Sequence, residues 1–432
     1  MSDRAQAIKH ILHSAFSHCG QKCSATSLVI LEKEVYQDVN FKNQLVDAAR
    51  SYPIGWAWDF ENKMGPLIRP PDKDLKRGLI QLEPGESWAL KPENMGDNPF
   101  LWTPGIKWDV QPGSYTHTTE LFGPVLGVMQ ARDLDHAIEM VNQTGYGLTS
   151  GIETLDPREQ HHWKDRIIAG NLYINRGTTG AVVLRQPFGG MGKSALGAGI
   201  KAGGPNYVAQ FMNFEESDFP AVGAIQNDHR LLRLCHEWRQ KLNWGQLSEF
   251  KTDLIKTIRA VRSYLYHWEQ EFSQEKDYFH LRGQDNIVRY LPIGTVVVRI
   301  HSHDTLFDVL ARVAAVKISG CTLMVSLAKG LKNPVTEFLK NKPGKRFLGE
   351  DIIKEASDND LIALIPEVQR IRYAAPDRVP DAVFQAAAQT GFYIARTPVM
   401  MQGRIEMLQY LQEQSICNNY HRYGNLGERV EV

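Results

Sequence analysis

The sequence predicts an α/β protein of more than one domain. Its 432 residues exceed what a single hydrophobic core usually organises. Strand-like apolar runs follow helical spacings in both halves of the chain. In the second half, residues 291–326 read strand, helix, strand, the pattern of a parallel βαβ unit.

Composition narrows the class. Lys and Arg total 49 and Asp and Glu total 49, so the formal net charge is zero, and no basic arm or repeat marks a nucleic-acid binder. The five cysteines (Cys19, Cys23, Cys235, Cys321, Cys417) are odd in number and scattered. That favours a reducing compartment over a disulfide framework. The first residues, Met1 to Gln6, are polar and lack a signal-peptide core. The most apolar stretch, Val309 to Leu327, is broken by Arg312 and Lys317, which argues against a membrane span. A cytoplasmic protein is expected, with no nucleic-acid partner and no transmembrane segment.

In chain order, Ala7, Ile8, Ile11, Leu12 and Phe16 recur at helical spacing, and Gly20 is expected to end that helix. Ser27 to Leu31 reads as a strand. Between them lies Gly20-Gln21-Lys22-Cys23-Ser24-Ala25. A thiolate is the strongest nucleophile a side chain offers near neutral pH, and one held at a bend among small residues can be reached by a carbonyl substrate. Cys23 is therefore the candidate nucleophile. A buried structural cysteine is the competing reading. Cys19, four residues earlier, leaves a metal-binding pair as a third, although no second ligand pair follows. Val35 to Ser51 reads as a helix, and the span from Pro71 to Pro112 is rich in turns and tryptophan. Asp133 to Thr144 reads as an amphipathic helix, and Gly145 to Gly151 as a turn into a strand.

In the second half, Asp228 to Phe272 carries the spacing of two or more amphipathic helices. Asn286 to Tyr290 and Leu291 to Ile300 are strand-like, Thr305 to Ser319 is helical, and Gly320 to Ser326 is the next strand. Short strands are expected at Leu361 to Ile365, Ile371 to Tyr373 and Phe392 to Ala395, with a helix from Gly403 to Gln412. The tail from Ser415 to Gly427 is dense in aromatic and hydrogen-bonding groups, chemistry suited to docking. His421 invites a metal or acid–base reading but has no partner cluster.

Several motifs resemble one family. Gly20 to Ala25 resembles the nucleophile motif of the aldehyde dehydrogenase superfamily, Gly-Gln-x-Cys followed by small residues. Gly65 to Ile68 resembles its Gly-Pro-Leu-Ile segment, and Phe100 to Pro104 lies where the family carries a strand toward the active site. Glu120 to Val125 resembles Glu-x-Phe-Gly-Pro-Val. Gly170 to Arg176 resembles the Gly-Asn-x-Tyr-x-Asn-Arg strand that walls the aldehyde tunnel, and Pro187 to Gly190 the Pro-Phe-Gly-Gly segment. Gly180-Ala181 and Lys201 to Pro205 resemble the narrower mark of the glutamate-γ-semialdehyde (1-pyrroline-5-carboxylate) dehydrogenases. Among these, the bifunctional proline dehydrogenase/aldehyde dehydrogenases with an extra C-terminal domain are most similar.

This resemblance implies NAD-dependent oxidation of L-glutamate γ-semialdehyde to L-glutamate in proline catabolism. It implies that Cys23 attacks the aldehyde while its main-chain N–H helps hold the oxyanion. Glu120 would accept from the ribose hydroxyls of NAD, and Phe122 would pack near the nicotinamide. The N–H groups of Gly180 and Ala181, with the Ser24 hydroxyl, would grip the α-carboxylate. Phe188 would cover the aliphatic part of the substrate, and Arg185 is left unassigned. The implied fold is an aldehyde dehydrogenase catalytic subdomain over 1–215, then a degenerate aldehyde-dehydrogenase-like Rossmann-type α/β domain over 216–414. A docking tail over 415–432 would help close the cavity through which the intermediate passes. In the second domain Asp304 stands where the family has its oxyanion asparagine, and Ser326 where it has a ribose-binding lysine, so no catalysis is expected there.

Only 22 residues precede Cys23, too few for the nucleotide-binding half, the oxyanion asparagine or the water-activating glutamate. The chain is thus expected to be the C-terminal part of a longer enzyme, partnered by the missing half and nearly inactive alone. A homo-oligomer is compatible with the sequence. The competing class is a catalytically inactive structural or interaction module.

Overall fold

In the computed structural model, residues 2–96, 98–226, 228–349 and 353–420 are described. Residues 421–432 of the expected docking tail, His421 among them, lie outside the described residues. Among the described residues no helix is long and apolar enough to cross a membrane. The chain forms two compact units. One gathers residues 1–195, 277–287 and the segment from Ser415 onward; the other gathers residues 196–276 and 288–414.

The first unit opens with helix α1 (Arg4–Phe16), whose N-terminus is capped by the Asp3 carboxylate accepting from the Gln6 N–H. Ala7, Ile8, Leu12, Ala15 and Phe16 are buried along one side. The helix stops at Phe16 rather than reaching Gly20, because His18, Cys19 and Gly20 all take left-handed backbone (φ 55°, 58° and 66°). Strand β1 (Leu28–Glu32) follows. The single helix expected over 35–51 is instead a pair, α2 (Lys33–Tyr36) and α3 (Val39–Arg50). Asp38 divides them, since its side chain caps the second by accepting from the Asn40 N–H. Next come α4 (Lys73–Ile80), β2 (Ser87–Leu90), β3 (Gly105–Trp108), α5 (Tyr115–Thr118) and β4 (Val125–Ala131). The strand expected at 100–104 begins only at Gly105.

Strands β1, β4, β3 and β2 lie side by side in that order. The first three are parallel, with Leu28 opposite Gly127 and Gly105 opposite Val125, and β2 is antiparallel to β3. The unit continues through α6 (Leu134–Gln143), β5 (Tyr146–Gly147), β6 (Thr149–Ile152), α7 (Pro157–Arg166), β7 (Asn171–Ile174) and β8 (Met191–Gly192).

The second unit starts with helices α8 (Arg230–Lys241), α9 (Gln246–Glu249) and α10 (Lys251–His267). Strands β9 (Lys276–Asp277) and β10 (Gln284–Pro292) follow in the chain, and their residues 277 and 284–287 belong to the first unit. The α/β core of the second unit is β11 (Thr295–Ile300), α11 (Leu306–Ile318), β12 (Thr322–Ala328), α12 (Pro334–Lys340), α13 (Lys342–Leu348), β13 (Ile353–Ala356), α14 (Asp358–Ala363), β14 (Arg370–Arg372), α15 (Asp381–Thr390) and β15 (Ile394–Ala395). The strand order is β13-β12-β11-β14-β15 and every pairing is parallel, the doubly wound order read outward from β11. Helix α11 is buried along nearly its whole length and starts on a capping box between Thr305 and Asp308.

Two expectations fail here. Leu361 to Ile365 is not a strand: Ser357 and Asp360 form a capping box that starts α14. A five-residue apolar run fits either state, and the cap decides it. The helix expected over 403–412 is only α16 (Gly403–Glu406) and one further turn, after which β16 (Leu411–Asn419) is extended.

Residues 415–418 of β16 return to the first unit and lie parallel to β7, Ser415 opposite Asn171 and Asn418 opposite Ile174. The resulting sheet has the order β6-β7-β16-β10-β9. Ile416 joins Ile138, Trp163, Leu172 and Ile174 in the core beneath it.

In the second unit, Arg372 and Glu406 form a fully buried ion pair at 2.9 Å, and the Tyr410 hydroxyl donates to the same carboxylate at 2.7 Å. Removing one partner leaves the other charge buried and unpaired. Glu406→Leu is expected to cost about 3–5 kcal/mol, read as a lowered urea midpoint; a midpoint equal to that of the unsubstituted protein would count against the pair's role.

Candidate active site

Cys23 follows the left-handed turn and precedes β1. Its side chain is exposed, whereas Cys19 is buried. Burial pushes the Cys19 thiol up to about 12, so it is an inert core sulfur. The two cysteines thus have opposite environments. Among the described residues no group of three or more His, Cys, Asp or Glu side chains is arranged to hold a metal.

Gln21 joins three distant segments. Its Oε1 accepts from the Ile68 N–H at 3.0 Å, and its Nε2 donates to the Phe122 carbonyl at 3.2 Å. Gly20 sits against the same place: a Cβ built there would lie 2.2 Å from the Gly123 carbonyl oxygen, so the positive φ and the close approach both require glycine. Phe122 is itself left-handed (φ 51°) and its side chain is 40% exposed. Glu120 is exposed, and no side-chain hydrogen bond or ion pair to another described residue engages its carboxylate.

The glycine-rich run reaches the Cys23 segment from the other side. The Thr178 hydroxyl donates to the Ser24 carbonyl at 2.8 Å and lies 2.9 Å from the Thr26 hydroxyl. The Thr178 N–H donates to Ser14 Oγ of α1 at 3.0 Å. Gly180 follows two residues later with φ 81° and is exposed, and Ala181 is half-buried. Ser24 is buried beside this junction. Asn171 Nδ2 donates to the Gly189 carbonyl at 3.1 Å, which ties the half-buried Phe188 to the start of β7.

Behind the turn lies Tyr173, buried under the Arg176 guanidinium at 4.8 Å from its ring. Burial pushes its phenol up to about 12; Arg176 opposes that shift, while Cys417 and Cys23 add to it.

The structure thus ties Ser24, the neighbour of Cys23, to the 177–181 turn, and draws Phe122 to the same loop through Gln21. Gln21 and Thr178 do this joining, and sequence reasoning gave neither a role. The one available signal was polar side chains inside otherwise small or apolar motifs. Lys201 lies elsewhere: it is buried in the second unit, where its N–H and the Asn206 side chain both donate to the Glu413 carboxylate, at 2.7 and 2.6 Å.

The second unit's own crevice is filled by side chains. At the carboxyl ends of β11 and β14, where a doubly wound sheet binds its ligand, the buried Arg312 donates to the carbonyls of Arg299 and Arg372 at 2.8 and 3.0 Å. Arg312 also pairs with Asp304, which Arg378 contacts at 2.6 Å. Ser326 accepts from Arg299 at 2.8 Å.

An α/β fold thus presents an exposed cysteine beside a glycine-rich turn. The aldehyde dehydrogenase family profile matches residues 1–216, and the chain belongs to the aldehyde dehydrogenase family. It is 38% identical over 214 residues to 1-pyrroline-5-carboxylate dehydrogenase 1 of Halalkalibacterium halodurans, covering 49% of this chain and 40% of that protein. It is 35% identical over 212 residues to 1-pyrroline-5-carboxylate dehydrogenase of Bacillus subtilis, with the same coverage. The chain therefore spans well under half the length of these relatives. Among solved structures, proline utilization A (PutA) from Corynebacterium freiburgense is similar over 98% of this chain, with a TM-score of 0.76 and 38% identity; 38% of that longer protein is covered.

Exposure and thiol chemistry give a direct check. Under native conditions iodoacetamide is expected to label Cys23 first and to leave the buried Cys19, Cys235 and Cys417 unmodified, as mapped by peptide mass. Labelling of Cys19 ahead of Cys23 would contradict the placement.

Proposed function

We propose that the first unit supplies the nucleophile and the substrate-carboxylate site of an NAD-dependent dehydrogenase that converts L-glutamate γ-semialdehyde (1-pyrroline-5-carboxylate in its open form) to L-glutamate. The supporting observation is the Thr178–Ser24 hydrogen bond, which fastens the 180–181 turn to the residue beside the exposed Cys23 thiol. The Cys23 thiolate attacks the aldehyde carbon. A C–S bond forms, the carbonyl π pair moves to oxygen, and the Cys23 N–H donates to that oxyanion. The α-carboxylate is received by the N–H groups of Gly180 and Ala181 and by the Ser24 hydroxyl. Phe188 covers the substrate's methylene groups.

The residues present suit NAD. Glu120 is an exposed carboxylate free to accept from a ribose diol, and Phe122 offers an accessible ring face for the nicotinamide. When bound, NAD supplies the hydride acceptor. The water-activating base and most of the nucleotide site belong to the nucleotide-binding half, which this chain takes from a longer enzyme or a partner polypeptide. In this reading residues 1–215 are the catalytic subdomain, 216–414 a non-catalytic α/β domain and 415–432 a docking tail. The whole is the C-terminal part of a cytoplasmic bifunctional enzyme of proline catabolism that channels its intermediate. A structural or interaction role is the second reading. For the second domain it is favoured by the Arg312, Asp304 and Arg378 side chains that fill the crevice.

The test is NADH formation from the semialdehyde. The isolated chain is expected to give little or none; expressed together with a nucleotide-binding half it is expected to be active. Cys23→Ala should then lower the rate by at least about 10³-fold. A Cys23→Ala protein that keeps its rate would refute the assignment.

A further inference from the structure

We propose that Arg176 is the positioning residue of the carboxylate-binding turn, and that Cys417 and Gln186 hold it in place. This rests on the site reading above and adds the device that orients the turn. Arg176 Nε donates to the Gly177 carbonyl at 3.2 Å, and Nη2 donates to the carbonyls of Thr179 at 3.3 Å and Gly180 at 3.2 Å. The peptide unit is planar and trans, so a carbonyl and the N–H that follows it point in opposite directions. With the Thr179 and Gly180 carbonyls turned toward the guanidinium, the N–H groups of Gly180 and Ala181 are turned away from it. These are the two donors assigned to the α-carboxylate, and neither donates to another described residue. A Cβ built on Gly180 would meet nothing within 4 Å, so the turn faces open space there. The guanidinium also places a fixed positive charge behind an anion site.

Arg176 is fixed from below. Its Nη1 donates to Cys417 Sγ at 3.0 Å, and its plane lies over the Tyr173 ring. Gln186 Nε2 donates to the same sulfur at 3.3 Å and to Asn286 Oδ1 at 2.6 Å. Its Oε1 accepts from the Val182 N–H at 2.8 Å, closing the far end of the turn. Cys417 and Gln186 are buried. A lysine in place of Arg176 would keep the charge but could not reach three carbonyls and a sulfur with one ammonium.

The full chain is titrated with L-glutamate and with 4-aminobutyrate, which lacks the α-carboxylate. Arg176→Lys and Cys417→Val are expected to weaken glutamate binding by about 10-fold or more while leaving 4-aminobutyrate unchanged. Cys417→Ser, which keeps an acceptor, is expected to restore glutamate binding. Unchanged glutamate affinity in Arg176→Lys, or equal losses for both ligands, overturns the proposal. Hydrogen exchange at residues 178–182, measured without ligand, separates this inference from the substrate reading. If the unsubstituted chain does not bind glutamate, the substrate reading fails. Faster exchange in Arg176→Lys and Cys417→Val then still supports the orienting role, and unchanged exchange overturns it.

Discussion

The Thr178 hydroxyl is the hinge pin of the first unit. It joins a turn leaving β7 to the main chain beside Cys23, across 154 residues of sequence. A neutral hydrogen bond contributes only about 0.5–1.5 kcal/mol net, so this one does not act alone. The Thr178 N–H is anchored on Ser14 of α1, and Gly177 packs so closely on that serine that a Cβ would come within 2.6 Å of its oxygen. Gln21 makes the equivalent junction on the other side, toward Phe122 and Ile68. Three motifs remote in sequence are thereby referred to one loop.

That convergence carries strain. Among the described residues, seven other than glycine have positive φ, and five of them (His18, Cys19, Phe122, Asn175 and Leu184) lie in or beside the motifs that build the site. A left-handed residue with a side chain costs about 1–2 kcal/mol. Such residues persist where the surroundings over-determine them. Asn175 shows how: its side chain accepts from the Thr154 N–H and donates to the Thr154 carbonyl, clamping the backbone just before Arg176. The strain lies where chain direction must change so that a thiol and a row of amides face outward.

Cys23 was legible as a thiol at a bend among small residues. Glu120 and Gly180 were legible through the family resemblance of the motifs that hold them. The roles of Thr178, Gln21 and Arg176 were not, since they exist only through partners that the fold brings near. The same limit explains the local misreadings. Leu361 to Ile365 has the apolar run of a strand, and only the Ser357–Asp360 capping box makes it helical. Residues 35–51 have continuous helical spacing, yet Asp38 caps a new helix within them. In the second unit, Asp304 and Ser326 read as departures from family chemistry. The structure adds that both are already occupied, Asp304 by Arg312 and Arg378 and Ser326 by Arg299.

The insertion of β16 between β7 and β10 has a consequence for synthesis. Asn171 emerges from the ribosome long before Ser415, its sheet neighbour. Through the translation of the entire second unit, one side of β7 has no strand to pair with. An unsatisfied sheet edge of this kind recruits whatever extended segment is nearby, including the same segment of a second nascent chain. Non-local pairing of this order is also slow to form. The first unit is thus begun before the second and finished after it, and its assembly is timed by the arrival of four residues that follow the second unit in the chain.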